Sequence, residues 1–278
     1  MAMSPLTHDA VVIGGGPAGL QATLTLARVH RRVLMLDSGR YRNDPAAHLH
    51  NFLTQDGTPP AELRRVARKE LTAYDTVEVR DTAAAVVEPV DGGFRVELDD
   101  GPVVARGVVL ATGLRDVLPE IPGVQGLWGG VIAHCPFCHG HELAGQDVAV
   151  VGAAAHIGAI MAPVASSVTM LEEVAIERVE PSAVGARVVL ADGTTPEFGG
   201  VFVATRTVQA APFAEQLGLA MLPSGCVEVD AMGRTSLPGV HAAGDMAHVA
   251  AMPMPMASVL AAAASGQVAG GAMVAHLL

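Results

Sequence analysis

Apolar and polar positions fall in blocks along this chain, and the first blocks set out a strand, helix, strand order. His8 to Ile13 (HDAVVI) reads as a short buried strand, Leu20 to Val29 as a helix, and Arg32 to Leu36 (RVLML) as a second buried strand ending at Asp37. Ala61 to Ala73 has helical spacing at Leu63, Val66 and Leu71, with a basic outer face read as solvated surface. Val86 to Val104 reads as a small meander, with turns at Asp91-Gly92-Gly93 and Asp99-Asp100-Gly101. Val108 to Gly113, Asp147 to Val151, Val168 to Leu171 and Gly200 to Arg206 read as further strands, and Ile157 to Ala165 as an apolar helix. Pro255 to Leu278 is Ala-rich and apolar nearly all round, which predicts a closing helix buried in its domain or at a subunit contact.

The first strand runs into Gly14-Gly15-Gly16-Pro17-Ala18-Gly19, in which Gly14, Gly16 and Gly19 have G-x-G-x-x-G spacing. In this context the first glycine allows the tight turn, the second lets the backbone approach a pyrophosphate, and the third lets helix and strand pack closely. The helix N-terminus offers unpaired N–H groups and a positive dipole end to phosphates. Asp37, at the end of the next strand, is placed to hold a ribose hydroxyl. Together these residues predict dinucleotide binding.

Two later runs extend the set: the strand Val108 to Gly113 closes in Ala111-Thr112-Gly113, and Leu237 to Asp245 (LPGVHAAGD) closes in Gly244-Asp245. The ordered set resembles the thioredoxin-reductase-like flavoproteins over nearly the full length. That resemblance implies an α/β, Rossmann-like protein with two dinucleotide-binding domains, the second shortened, and FAD as cofactor. It implies that Asp245 faces the ribityl and phosphate region, and that the start of the closing helix, at Ala257 and Ser258, points N–H groups at the flavin pyrimidine ring. It also implies a homodimer. The expected boundaries are residues 1–115 plus 238–278 for the FAD domain and 116–237 for the central domain. Arg42, His50 and Asn51 lie in a long polar loop and are candidates for flavin contact or plain surface.

The run His134-Cys135-Pro136-Phe137-Cys138-His139-Gly140-His141-Glu142 carries the second chemistry. Thiols at C-x-x-C spacing can close a small disulfide ring, and such settings lower a thiol pKa to roughly 3.5–7.5. Adjacent imidazoles can take or return a proton near neutral pH. Zinc is a rival reading, with Cys135, Cys138, His139 and His141 as ligands, but zinc sites usually place their second pair about a dozen residues away, so no metal is expected. A glutaredoxin-like C-P-x-C would need a βαβ context that is not present. The favoured reading is a redox pair working with the flavin. The resemblance narrows further here: C-P-F-C-H-G-H-E, with LDSGRYRN and HNFLTQDGTPP upstream, is similar to the dithiol oxidases that close disulfides in gliotoxin- and holomycin-type natural products. It implies that Cys138 faces the flavin, Cys135 exchanges with a small-molecule dithiol, His139 or His141 manages protons, and O2 accepts the electrons. The alternatives are an NAD(P)H- or ferredoxin-driven disulfide reductase and a flavin-bound redox sensor.

The second dinucleotide-type strand is followed by Gly152-Ala153-Ala154-Ala155-His156-Ile157-Gly158. Ala154 puts a methyl group where backbone should approach phosphate, Ile157 puts bulk where helix and strand should touch, and Glu172-Glu173 would repel a 2′-phosphate. A working nicotinamide site is therefore expected to be lost, although an acid at this position suits a ribose 2′-OH and leaves weak NADH binding as an alternative.

Composition adds exclusions. Half of the 278 residues are hydrophobic, 3% are aromatic and the net charge is −11, which argues against nucleic acid or an anionic membrane as partner. Two charge-free stretches, Val148 to Leu171 and Val249 to Leu278, are broken by Gly, Pro and Ser and read as buried elements of a soluble protein. MAMSPLTHDA has no basic start and no long apolar core, so no export signal is expected and the protein is read as cytoplasmic. Cys226 reads as an incidental thiol in a turn, and Met252, Met254 and Met256 as core packing or a substrate-pocket lining.

Overall fold

The computed structural model describes residues 6–278; residues 1–5, part of the stretch read for an export signal, lie outside the described residues. The chain divides into two compact units.

The first unit comprises residues 1–42, 61–115 and 208–278. Its seven-stranded sheet runs in the order Val77–Arg80, Val33–Leu36, His8–Ile13, Val103–Leu110, Gly93–Glu97, Val86–Val90, and Val240–Ala242 joins Val103–Leu110. The strands Val33–Leu36, His8–Ile13, Val103–Leu110 and Val240–Ala242 are parallel. They are buried on both faces, which is why they read as unbroken apolar runs rather than alternating ones. Register sets where the chain leaves this sheet. Ile13 pairs with Leu36 and with Leu110, and Leu110 pairs with Ala242. The four strand ends are level, so the segments after them, far apart in sequence, leave the same edge of the sheet.

The closing helix begins at Val259 and ends at His276, later than the expected start at Pro255. Pro253 and Pro255 disfavour helix in the residues before them, and Ser258 caps the first turn by accepting the Ala261 N–H. This helix packs on Pro17–Ala27, where a Cβ on Gly266 would collide with the Ala18 carbonyl. It is long and apolar enough to cross a membrane by length and composition alone. Within its own unit it is not buried all round: Leu260 and Val268 are exposed. Met254 and Met256, 65% and 69% exposed, are not core either.

The second unit comprises residues 43–60 and 116–207. Its parallel sheet has four strands in the order Ser167–Leu171, Asp147–Val151, Gly200–Val203, Ile132–Ala133, with one crossover helix, Ala155–Met161. A three-stranded antiparallel sheet, Ile176–Pro181, Ala186–Leu190 and Glu197–Phe198, fills the rest of the interval.

The boundaries differ from those expected in two places. Residues 208–237 group with the first unit because Phe213, Leu219, Cys226 and Val227 are buried in the same core as Val11, Leu34 and Leu110. Cys226 lies in the expected turn and is also a core residue, and its burial pushes the thiol pKa up. Residues 43–60 group with the second unit, where Pro45 lies directly over Gly129.

Candidate active site

In the first unit, the glycine turn meets the requirements of its motif one residue at a time. A Cβ on Gly14, which sits at φ +119, would run into the Ala111 carbonyl, and one on Gly19 would run into the Gly14 carbonyl. A Cβ on Gly16 would meet nothing within 4 Å, so this position opens onto space rather than protein. Gly16 also precedes the helix Pro17–Ala27 as its N-cap, with Pro17 in the first turn, Ala18 and Gly19 buried, and no side-chain cap. Its first N–H groups are thereby left to a ligand. Ala111 N–H donates to the Ile13 carbonyl (2.8 Å), which brings Ala111, Thr112 and Gly113 beside the turn. Thr112 Oγ1 reaches the Met246 sulfur at 3.4 Å. Gly244 is tied by its N–H to Ser265 of the closing helix (2.9 Å), next to the first turns that come after Ala257 and Ser258. Arg42 Nη1 donates to Asp245 at 3.0 Å, so one of the loop candidates does join the cradle.

Asp37 is 2% exposed. Its carboxylate accepts from the Gly39 N–H (2.9 Å), Tyr41 Oη (2.5 Å) and Arg68 Nη1 (2.9 Å). Burial and the adjacent Asp37 carboxylate push Tyr41 up to about 12. The Arg64 guanidinium stacks 3.7 Å from the Tyr41 ring centroid. Tyr41, Arg64 and Arg68 are not evident from the sequence pattern, in which the helix cations look like a solvated face. In the helix Pro60–Leu71 it is Val66 that is exposed and Arg64 that is buried. The available signal was spacing: Arg64 and Arg68 are four apart and share a helix face. The preorganised carboxylate, the open Gly16 position and the uncapped helix fit a bound dinucleotide.

In the second unit, Cys135 precedes the single helical turn Pro136–His139, and Cys138 lies in it. The i, i+3 spacing puts both thiols on one side, with sulfurs 2.6 Å apart. Phe137 between them is 65% exposed. His139 Nε2 lies 3.3 Å from the Gly129 carbonyl oxygen. As the donor in that pair, Nε2 carries the proton and leaves Nδ1 as the basic nitrogen. Nδ1 is buried and has no hydrogen-bond partner among the described residues. His141 is exposed. His50 and Asn51, the other loop candidates, belong to this unit. His50 lies between Asp56 (Nδ1 to Oδ2, 3.4 Å) and Glu142 (Nε2 to Oε1, 3.6 Å), and the Asn51 N–H donates to Asp56 at 2.7 Å. Asn51 itself is held at φ +61.

The second glycine turn keeps Gly152 at φ +80 but has Ala154, 1% exposed, at the N-cap of the crossover helix. Ile157 is 4% exposed and packs with Val148, Val150, Met161 and Phe202.

The chain matches the pyridine nucleotide-disulphide oxidoreductase family over residues 8–175 and 161–266. It belongs to that family. Among curated members it is 33% identical to thioredoxin reductase sirT of Leptosphaeria maculans, over 97% of this chain and 94% of that one. It is 34% identical to thioredoxin reductase aclD of Aspergillus oryzae, over 96% and 98%. The crystal structure of an oxidoreductase from Agrobacterium tumefaciens superposes with a TM-score of 0.86 at 30% identity, over 97% of this chain and 98% of that one. The sirT alignment spans 314 positions against 278 residues here, so that relative carries segments this chain lacks. As a member of the family the protein is a thioredoxin-reductase-like flavin thiol/disulfide oxidoreductase with a Rossmann-like α/β fold.

Proposed function

We propose that this flavoprotein is an FAD-dependent dithiol oxidase, which converts a small-molecule dithiol and O2 into a cyclic disulfide and H2O2. The observation that carries this reading is the second glycine turn. Buried Ala154 and core-packed Ile157 take the place of the close backbone approach that a nicotinamide dinucleotide needs, while the first turn keeps it. With no good route for electrons in from NADPH, the thiols run toward oxidation. The same reading takes the protein as a cytoplasmic homodimer.

The residues that would hold FAD are the Gly14–Gly19 turn for the pyrophosphate, Asp37 for the adenosine ribose, and Asp245 with Arg42 for the ribityl side. When bound, FAD would supply a two-electron acceptor for the reduced cysteine pair and a donor to O2. The chain's own work begins at the Cys135–Cys138 disulfide. A substrate thiolate attacks the Cys135 sulfur and Cys138 leaves as thiolate. The second substrate thiol then attacks the mixed disulfide, releases the Cys135 thiolate and closes the substrate disulfide. His139 takes the proton from each substrate thiol at Nδ1, the nitrogen left basic by the Gly129 carbonyl.

The reductase reading, favoured by the relatives' names, makes the opposite demand. Anaerobic stopped-flow decides between them. Dithiothreitol should bleach the flavin, and excess NADPH should do so slowly or not at all. Dithiol-dependent O2 uptake should then yield peroxide. Complete bleaching by NADPH within about a second, at ordinary enzyme turnover rates, would establish the reductase.

A further inference from the structure

We infer that His139 does not discharge its proton directly to solvent, but through a cavity shared with Glu142 and onward to His50. This rests on the thiol chemistry just assigned to the cysteine pair.

The second unit has a half-open cavity of about 180 Å3 lined by His139, Glu142, Val131, Ala133, Leu143 and Phe202. At about 30 Å3 per water molecule, it has room for several. Two of its lining groups are ionisable, and one of them, His139, carries the buried Nδ1 that no side chain or backbone group among the described residues satisfies. A buried nitrogen without a protein partner is the kind of group that ordered water satisfies, and His139 and Glu142 are the ionisable groups on a wall that is otherwise mostly apolar. Glu142 is half-exposed, so it stands at once in the cavity wall and at the surface. From there the groups continue without a gap longer than 3.6 Å: Glu142 to His50 Nε2, then His50 Nδ1 to Asp56. The Asn51 N–H and His50 hold Asp56 below the usual carboxylate range, with His141 also near it. His48, 6.4 Å from His50 between ring centroids, is the remaining titratable ring on the loop.

The loop spends conformational strain to hold this arrangement. Asn51 and Thr54 sit at φ +61 and +73, uncommon for residues other than glycine, and they flank the turn that brings Asp56 back onto His50. Proton accounting supplies a purpose. Each turnover strips two protons from substrate thiols at the cysteine pair, and the same number is needed where O2 becomes H2O2. The protons must therefore leave the neighbourhood of His139. Glu142 and His50 are positioning residues in this scheme, acting through His139 and water rather than on the sulfurs.

The test uses the holoenzyme and anaerobic flavin reduction by dithiothreitol, which needs thiol exchange but neither O2 nor the natural substrate. Glu142→Gln and His50→Gln should each slow reduction about tenfold near neutral pH, below the full effect of losing a general base. Each should change the pH profile, and added imidazole should restore the His50→Gln rate. Glu142→Asp should recover most of the wild-type rate. Wild-type rates and pH profiles in both glutamine variants would overturn the route. So would slowing that is independent of pH and unrescued, since that marks a structural role. A wild-type protein that is reduced by dithiothreitol but does not consume O2 would refute the oxidase reading, and the variants would still decide the proton route.

Discussion

The molecule carries two glycine turns after two parallel strands, and they have come to opposite ends. At Gly14–Gly19 a Cβ would meet backbone at Gly14 and Gly19, the Asp37 carboxylate at Gly15 and free space at Gly16, and the helix after it starts uncapped. At Gly152–Gly158 the first glycine keeps its left-handed backbone, but Ala154 and Ile157 have turned inward and become core. A ligand site and a packed core make opposite demands on the same volume. The first turn leaves its orphan N–H groups for phosphates, whereas the second has filled the space with apolar side chains that stabilise the unit.

Breaking the second turn should therefore cost stability before it restores any binding. Ile157→Ala removes a nearly fully buried side chain and is expected to destabilise the second unit by about 2–5 kcal/mol. Trp128, the only tryptophan in the sequence, lies in that unit and reports its denaturant unfolding by fluorescence. An unchanged midpoint would mean that the site is not packed as described.

Acid should single out the first unit instead. His241 is 2% exposed, neither ring nitrogen has a partner among the described residues, and burial, with help from His276 and Arg234 and against Asp230, pushes it down to about 4 from 6.5. The unfolded chain thus binds a proton more readily than the folded one between those values. The contribution is complete above about pH 6.5 and is lost as pH falls toward 4, amounting to roughly 3 kcal/mol at most. Flavin release on heating should move to lower temperature across that window, and His241→Phe should flatten the dependence.

Much of the first unit was legible because its strands are doubly buried and its motif residues are backbone requirements, which a sequence states directly. The convergence of Gly14, Asp37, Ala111 and Asp245 was legible too, through an ordered set of motifs whose strand ends prove to be in register. What escaped depends on side chains meeting across distant segments. The i, i+4 spacing puts Arg64 and Arg68 on one helix face but does not say that Arg68 reaches Asp37, and nothing in the pattern joins His50 to Glu142. The domain boundaries failed for a similar reason: residues 208–237 carry no motif, and only the apolar face around Phe213 and Val227 ties them to the first core.

Filling the first turn should affect cofactor more than fold. Gly16→Val has room in the protein, so the unit should remain folded. The side chain would occupy the pyrophosphate approach, and an overpacking cost of about 1–3 kcal/mol corresponds to roughly fivefold to 150-fold weaker FAD binding. Flavin content after dialysis measures this directly, and full retention would place the phosphates elsewhere.

The reciprocal change, Ala154→Gly, should do least. It removes a buried methyl group at the position that the motif reserves for close backbone approach, with φ −122, which alanine adopts without strain. The loss of about 1 kcal/mol reflects the freer unfolded backbone and one buried methyl. Binding should not return, because Ile157 still fills the helix–strand contact and the carboxylates of Glu172-Glu173, directly after the strand Ser167–Leu171, would repel a 2′-phosphate there. NADPH should therefore bleach the flavin no faster in Ala154→Gly than in the wild type. Fast bleaching in this single variant would show that one methyl group, rather than the repacking of the whole turn, separates the two dinucleotide sites.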